Sequence, residues 1–188
     1  MEQTFLMKAI SEWSIAKSFF EIGTGRGTAC YAISLVPSIN KIRTIDIVPH
    51  TKKQKTAVNF KPVEASNEDL YQLIPYIEKK KIDFFHRKDI QKVYDMRYDL
   101  CFIDGDHNNA KIIQEDIKIC QNLTQKGGII VFDDYDPRFS VKQVIDDFLK
   151  RNSRFKSLLV EFRGHLFPGG ELEKGKGIVL VKENFDLV

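Results

Sequence analysis

The chain has 188 residues, with 29 lysines and arginines against 26 aspartates and glutamates, which gives a formal net charge of +3. A charge this small excludes the strongly basic composition of a protein that binds nucleic acid mainly through its phosphates. A hydrophobic share of 43% and a charged share of 29% exclude disorder and collagen-like repeats. No apolar run approaches the roughly 20 residues that span a bilayer, so we expect a cytoplasmic protein with a single domain over residues 1–188.

Short apolar runs bounded by turn residues alternate with amphipathic segments along the chain. After an N-terminal helix over residues 4–16, strands are predicted at 18–22, 42–47, 82–87, 100–104, 128–133, 157–162 and 177–181. This alternation is typical of consecutive βαβ units. It predicts an α/β fold of the Rossmann-like, doubly wound type, with a mostly parallel seven-stranded sheet and helices on both faces.

Helices are predicted between these strands. The clearest is capped by Asn108 or Asn109 and closed by Gly127, and another has Ser140 as its cap. The stretch before the third strand is predicted to be loop, with one helix near residues 67–80. An odd number of cysteines without metal-binding spacing predicts buried free thiols, and these are Cys30, Cys101 and Cys120.

A glycine-rich turn, Glu21-Ile-Gly23-Thr-Gly25-Arg-Gly27, follows the first strand. Glycine lets the backbone turn sharply and approach a ligand, and the next helix offers unpaired amides at its start. A dinucleotide fingerprint would place a glycine where this chain has Thr28, which disfavours nicotinamide or flavin. Glu21 is expected to face the crevice, and Asp46 and Asp89 follow the second and third strands. Each is alone an ordinary turn acid, but their order favours a nucleotide cofactor.

With these residues the chain resembles the class I S-adenosylmethionine-dependent methyltransferases, whose glycine motif reads E/D-x-G-x-G-x-G. The resemblance covers nearly the whole chain. It implies that the glycine loop holds the methionine part of the cofactor, that the second-strand acid binds the ribose, and that the third-strand acid lies by the adenine amino group. The cofactor-binding residues that it implies are Glu21, Gly23, Thr24, Gly25, Gly27, Asp46, Ile47, Asp89, Ile90 and Asp104.

Acidic residues also follow the fourth and fifth predicted strands, namely Asp104, Asp106, Asp133 and Asp134. Neighbouring strand ends would bring these carboxylates together, where they repel one another unless a cation neutralises them. Hard oxygen ligands suit magnesium, calcium or manganese. The alternative, that they are capping and turn acids on separate loops, stays open.

This acidic arrangement is similar to that of metal-dependent O-methyltransferases of the catechol type and their relatives that methylate sugar hydroxyls. The resemblance implies Mg²⁺ or another divalent cation at Asp104, Asp133 and Asp134. It also implies that Asp104 and His107 are catalytic, with His107 as the general base. The chain departs from the catechol enzymes in having Asp134 for their asparagine and His107 for their lysine.

The activity that the resemblance implies is O-methylation of a small-molecule or sugar hydroxyl. The acceptor pocket is expected between the loop after Asp46 and the segment 163–177. Two lysine clusters are solvated surface or a handle for an anionic acceptor; they are Lys52, Lys53 and Lys55, and Lys79, Lys80 and Lys81. Two alternatives are a nucleic-acid methyltransferase and an inactive cofactor-binding protein. The sequence "DDYDP" is not the D-P-P-Y type motif of amino-methylating DNA enzymes, so nucleic acid is disfavoured as a partner. A membrane partner is not expected, and a homo-oligomer is left open.

Overall fold

The protein is described from a computed structural model, which covers residues 2–58, 61–73, 82–161 and 177–183. The helices and strands, in chain order, are α1 (Glu2–Trp13), β1 (Ser18–Ile22), α2 (Thr28–Ser34), β2 (Lys41–Asp46), β3 (Gln54–Val58), β4 (Lys61–Ala65), α3 (Asn67–Leu73), β5 (Ile82–His86), a 3-10 helix (Arg87–Val93), β6 (Tyr98–Ile103), α4 (Ala110–Leu123), β7 (Thr124–Tyr135), α5 (Ser140–Arg151), β8 (Phe155–Glu161) and β9 (Gly177–Glu183).

Seven of these strands belong to one mostly parallel sheet, in the order β5-β2-β1-β6-β7-β9-β8, and helices flank it. All seven strands predicted from the sequence are present, with ends shifted by a few residues at most. The predicted α/β fold is therefore confirmed. By its internal contacts the chain divides into two compact units, Met1–Met96 and Arg97–Val188, which are described in turn. The single domain over 1–188 stays a prediction.

In the first unit, β2 pairs in parallel with β1 on one side and with β5 on the other. Every residue of β1 is buried, as expected of a parallel strand covered on both faces. The helix α1 packs against α2, and α2 contacts β2. Because the three strands are parallel, their carboxyl ends meet at one edge, where Ile22, Asp46 and His86 lie.

In the second unit, β6 and β7 are parallel, whereas β9 pairs antiparallel with both β7 and β8. The helix α4 packs on β6 and β7, and α5 packs on β7 and β8. The buried face of α4 carries Ile113, Ile117, Cys120 and Leu123, at helical spacing. The parallel pairing of β6 with β7 places Asp104, which follows β6, at the same edge of this unit as Asp133 and Asp134, which lie near the carboxyl end of β7.

The start of α4 agrees with the sequence pattern, but its end does not. Asn109 is the N-cap, and its side-chain oxygen accepts hydrogen bonds from the backbone amides of Lys111 (3.1 Å) and Ile112 (3.4 Å). Gly127 does not close the helix, which ends earlier because Thr124 is extended and its hydroxyl donates to the carbonyl of Cys120 at 2.6 Å. Gly127 instead lies within β7 with a φ of 81°.

The predicted cap of α5 is also wrong. Phe139 occupies the N-cap position and makes no side-chain capping bond. The hydroxyl of Ser140 donates to the backbone carbonyl of Asn108 at 2.8 Å. Ser140 therefore ties the start of α5 to the loop that follows β6.

The hairpin of β3 and β4 replaces part of a predicted loop. Its residues give no apolar strand signal, because polar residues such as Lys55 and Glu64 face each other across it. The helix predicted near 67–80 begins where expected as α3, and residues 74–81 lie outside the described part of the chain. Most of the predicted acceptor segment, 163–176, also lies outside it.

The three cysteines are buried and form no disulfide, as predicted. Within the described ranges, no helix combines the length and the apolar character needed to cross a bilayer. The cytoplasmic location stays a prediction.

Candidate cofactor and metal sites

The glycine loop between β1 and α2 has a backbone that favours glycine at three positions. The φ angles of Gly23, Gly25 and Gly27 are 92°, 50° and 74°, which are costly for residues with a Cβ. A Cβ added at Gly25 or Gly27 would meet no atom within 4 Å. The backbone conformation, rather than crowding in the unliganded protein, therefore restricts these two positions.

Backbone hydrogen bonds tie this loop to the end of β2. The amide of Gly23 donates to the carbonyl of Ile45 at 2.9 Å, and the amide of Gly25 donates to Oδ2 of Asp46 at 3.1 Å. The other carboxylate oxygen of Asp46 accepts from the amide of Val48 at 2.8 Å. The structure thus brings the glycine motif and Asp46 together, with Ile47 73% exposed beside them.

Glu21 lies beneath the glycine loop and is only 1% exposed, so it does not present its carboxyl to an open crevice as expected. Its Oε2 accepts hydrogen bonds from the thiol of Cys30 (2.9 Å) and the hydroxyl of Thr44 (2.6 Å). Burial raises the pKa of Glu21 from 4.5 to about 7; the bonds from Cys30 and Thr44 oppose this rise, and the charge of Asp46 adds to it.

This raised pKa predicts a pH-dependent stability. The folded protein binds the Glu21 proton more tightly than the unfolded chain, so the free energy of unfolding should fall as pH rises from about 4.5 to about 7. A shift of this size corresponds to about 3 kcal/mol. In Glu21→Gln the amide oxygen can still accept from Cys30 and Thr44, but this contribution should be absent.

Denaturant unfolding of both proteins at several pH values measures the effect. Burial lowers the pKa of His50, so His50 contributes stability that is present above its unfolded pKa and lost on acidification. In the wild type, the changes in unfolding free energy with pH that Glu21 and His50 cause have opposite signs and partly cancel. The difference in unfolding free energy between the wild type and Glu21→Gln at each pH isolates the Glu21 contribution. If the unfolding free energies of the wild type and Glu21→Gln change equally with pH, the raised pKa of Glu21 is contradicted.

Asp89 and Ile90 lie in the 3-10 helix that follows β5. The side chain of Asp89 is 44% exposed and pairs with Lys92 at 3.0 Å. Since β5 is the strand next to β2, these residues belong to the same edge as Asp46. Asp89 and Ile90 therefore lie one strand further from the glycine loop than Asp46 does, since the strand order is β5-β2-β1.

Two histidines to which the sequence pattern gives no role hold the backbone around Asp46. His86 accepts at Nδ1 from the amide of Lys88 (3.1 Å), so Nε2 of the neutral ring donates to the carbonyl of Ile47 (3.0 Å). His50 is buried, and its Nε2 lies 2.9 Å from the carbonyl of Phe85. Both rings bridge the segment after β2 to β5, a role that isolated histidines in a sequence do not signal.

In the second unit, the candidate metal ligands are Asp104, His107 and Asp134. One ligand atom from each lies within 4.8 Å of the other two, and all three side chains are partly exposed. Nδ1 of His107 is 2.9 Å from Oδ2 of Asp134, and the His107 ring lies against Phe139 with centroids 5.6 Å apart. Two carboxylates and an imidazole are a chemically suitable donor set for a divalent cation.

Asp133 and Asp106 do not belong to this cluster. Asp133 is only 4% exposed. Oδ1 of Asp106 accepts from the amides of Asn108 (2.8 Å) and Asn109 (2.7 Å), and these backbone bonds lower the pKa of Asp106. Asp106 therefore serves as a turn acid. This agrees with the alternative left open in the sequence analysis, that acids after the fourth and fifth strands are capping and turn residues. His107 takes the place in the cluster that the resemblance implies for Asp133.

A family described as a methyltransferase domain matches residues 20–135, which is well over half of the chain. The chain belongs to this methyltransferase family. The predicted resemblance to class I methyltransferases and the predicted enzyme class are thereby confirmed. The matched range contains every predicted site residue of this methyltransferase, from Glu21 to Asp134.

Solved methyltransferase structures share the fold. The O-methyltransferase TomG of Streptomyces achromogenes, involved in tomaymycin synthesis and solved in complex with SAM, is 16% identical, with a TM-score of 0.66 over 98% of this chain and 80% of TomG. An O-methyltransferase of Bacillus cereus in complex with SAH is 16% identical, with a TM-score of 0.62 over 97% and 81% of the two chains.

A third similar structure is the SAH-bound methyltransferase PaMTH1 of Podospora anserina, with 15% identity and a TM-score of 0.63 over 97% of this chain and 78% of that one. No curated protein sequence matches the chain. At these identities the likeness to solved structures shows the fold.

Proposed function

We propose that this methyltransferase transfers the methyl group of S-adenosylmethionine to a hydroxyl oxygen of a small molecule, assisted by a divalent cation. The observation that carries the proposal is the cluster of Asp104, His107 and Asp134 in a chain of this family. Proteins of the same fold named as O-methyltransferases, some bound to SAM or SAH, support it.

The first unit would bind the cofactor. The open, left-handed backbone at Gly25 and Gly27 leaves room for the methionine part, and Asp46 lies beside it with a partly exposed carboxylate suited to ribose hydroxyls. Asp89 and Ile90 would lie at the adenine. Glu21 is buried, accepts from Cys30 and Thr44, and would support the loop through Thr44 rather than through an exposed carboxylate.

The second unit would prepare the acceptor. Asp104 and Asp134 would hold the cation, with His107 or Asp133 as a further ligand. A bound divalent cation orients a hydroxyl and lowers its pKa. When Nδ1–H of His107 donates to Asp134, the other ring nitrogen keeps its lone pair and can accept a proton from the acceptor hydroxyl.

The acceptor is proposed to be a small hydroxylated molecule, with a sugar or an anionic group in keeping with the resemblance. Lys52, Lys53 and Lys55 are exposed on the segment that follows β2 and could contact an anion. The other predicted lysine cluster lies outside the described residues. A cytoplasmic location remains part of the proposal, and the oligomeric state is left open.

Isothermal titration tests the cofactor directly. We expect one binding site for S-adenosylhomocysteine, and Asp46→Ala should weaken binding by about 1 to 3 kcal/mol through loss of a charge-assisted hydrogen bond. Asp147→Ala is a matched control, because Asp147 is a partly exposed acid on α5 that pairs with Lys150 at 4.0 Å. Binding of NAD without binding of S-adenosylhomocysteine would contradict the proposed function.

A further inference from the structure

A buried chain of polar side chains connects the glycine loop to the core of the first unit. Thr24, Thr44 and Glu21 are 3%, 0% and 1% exposed. The hydroxyls of Thr24 and Thr44 are 2.5 Å apart, and the hydroxyl of Thr44 donates to Oε2 of Glu21 at 2.6 Å. The chain therefore runs from the loop, through β2, to β1.

The direction of these hydrogen bonds follows from the number of protons. A threonine hydroxyl has one proton, and Thr44 donates its proton to Glu21. With Thr44 donating to an ionised Glu21, the proton between the two hydroxyls comes from Thr24. Replacing Thr44 removes the acceptor for Thr24 and a donor to Glu21 at once, whereas replacing Cys30 removes a donor to Glu21 and leaves the link to the loop intact.

Thr24 is the one buried side chain between Gly23 and Gly27, since Arg26 is exposed and the other three residues are glycines. It stands between Gly23 and Gly25, whose left-handed φ angles the loop has to maintain. The amide of Gly27 also donates to the carbonyl of Thr24 at 2.7 Å. The position of Thr24 is thus coupled to the backbone on both sides of it.

We infer that Thr24 and Thr44 are positioning residues, which hold the glycine loop in the conformation that receives the methionine part of the cofactor. The inference rests on the proposed function for the identity of that ligand. A merely structural role for the same bonds would affect stability and all parts of the cofactor alike. A positioning role predicts a loss confined to the part that the loop contacts.

Two ligands separate these roles. S-adenosylhomocysteine contains the amino-acid part, whereas 5′-methylthioadenosine has the same adenosine without it. In Thr24→Val and Thr44→Val, the affinity for S-adenosylhomocysteine should fall by about tenfold, the size expected for a lost buried hydrogen bond. The affinity for 5′-methylthioadenosine should change by less than about twofold. Thr24→Ser keeps the hydroxyl and should bind S-adenosylhomocysteine like the wild type. Cys30→Ala also loses a donor to Glu21, but its affinity for S-adenosylhomocysteine should stay close to that of the wild type.

Equal losses for both ligands, or no loss for S-adenosylhomocysteine, would overturn the inference. Amide hydrogen exchange of Gly27 in the unliganded protein gives a test without cofactor: exchange should accelerate by about fivefold or more in Thr24→Val and not in Thr24→Ser. Equal exchange in the two variants would also overturn it. If the wild-type protein binds neither ligand, the proposed function fails, and the exchange measurement still decides whether Thr24 positions the loop.

Discussion

Adding a chelator to the purified protein is expected to abolish methyl transfer to a verified acceptor, and adding Mg²⁺ or Mn²⁺ is expected to restore it. The reason is the cluster of Asp104, His107 and Asp134, whose ligand atoms lie within 4.8 Å of one another. Carboxylates held this close repel unless a cation is present, and the cation would supply both orientation and activation of the hydroxyl. Full activity in excess chelator would show that these acids serve another purpose.

Metal binding can also be measured without an acceptor. Titration with Mn²⁺ should show at least about tenfold weaker binding in Asp104→Asn and in Asp134→Asn, since each loses a charged ligand. Asp106→Asn is the matched control on the same loop, because its carboxylate accepts from two backbone amides. Asp133→Asn separates the two proposed ligand sets: weaker binding in this variant supports Asp133, and unchanged binding supports the set with His107.

The second large effect concerns His107. We expect His107→Ala to lower turnover by about 10²- to 10⁴-fold, the usual contribution of a general base, while the affinity for S-adenosylhomocysteine stays nearly unchanged. The geometry behind this expectation is the 2.9 Å contact between Nδ1 of His107 and Asp134, which leaves the second nitrogen able to accept a proton. Single-turnover kinetics with saturating cofactor measures the step concerned.

Metal affinity distinguishes a base from a ligand at this position. If His107 acts as the base alone, Mn²⁺ affinity should be retained in His107→Ala, whereas a ligand role lowers metal affinity together with turnover. His107→Gln is the companion variant, because it keeps a polar side chain of similar reach without an imidazole. Unchanged turnover in both variants would rule out His107 as the base.

The sequence by itself determined the seven strands of the main sheet and the order of the candidate cofactor residues. Buried parallel strands are short, continuous apolar runs between turn residues, so "SFFEI" could be recognised as β1 without any partner. The glycine motif is also a local signal, because the glycines at 23, 25 and 27 permit the left-handed φ angles of this turn. The cap of α4, predicted at Asn108 or Asn109 and found at Asn109, is local as well, because its side chain accepts from amides two and three residues ahead.

Only the tertiary structure decided which side chains meet. Glu21 accepts from Thr44, 23 positions away in the chain, and their meeting depends on the register between β1 and β2, which no local pattern specifies. Asp134 has a φ of 49°, so the alternation of strand side chains fails at this residue. The alternation of side chains between the two faces of a strand therefore could not predict where these two acids lie. Asp134 joins His107 in the cluster, whereas Asp133 is buried. These contacts depend on packing and pairing between distant segments, whereas the strands and turns depend on the residues within each segment.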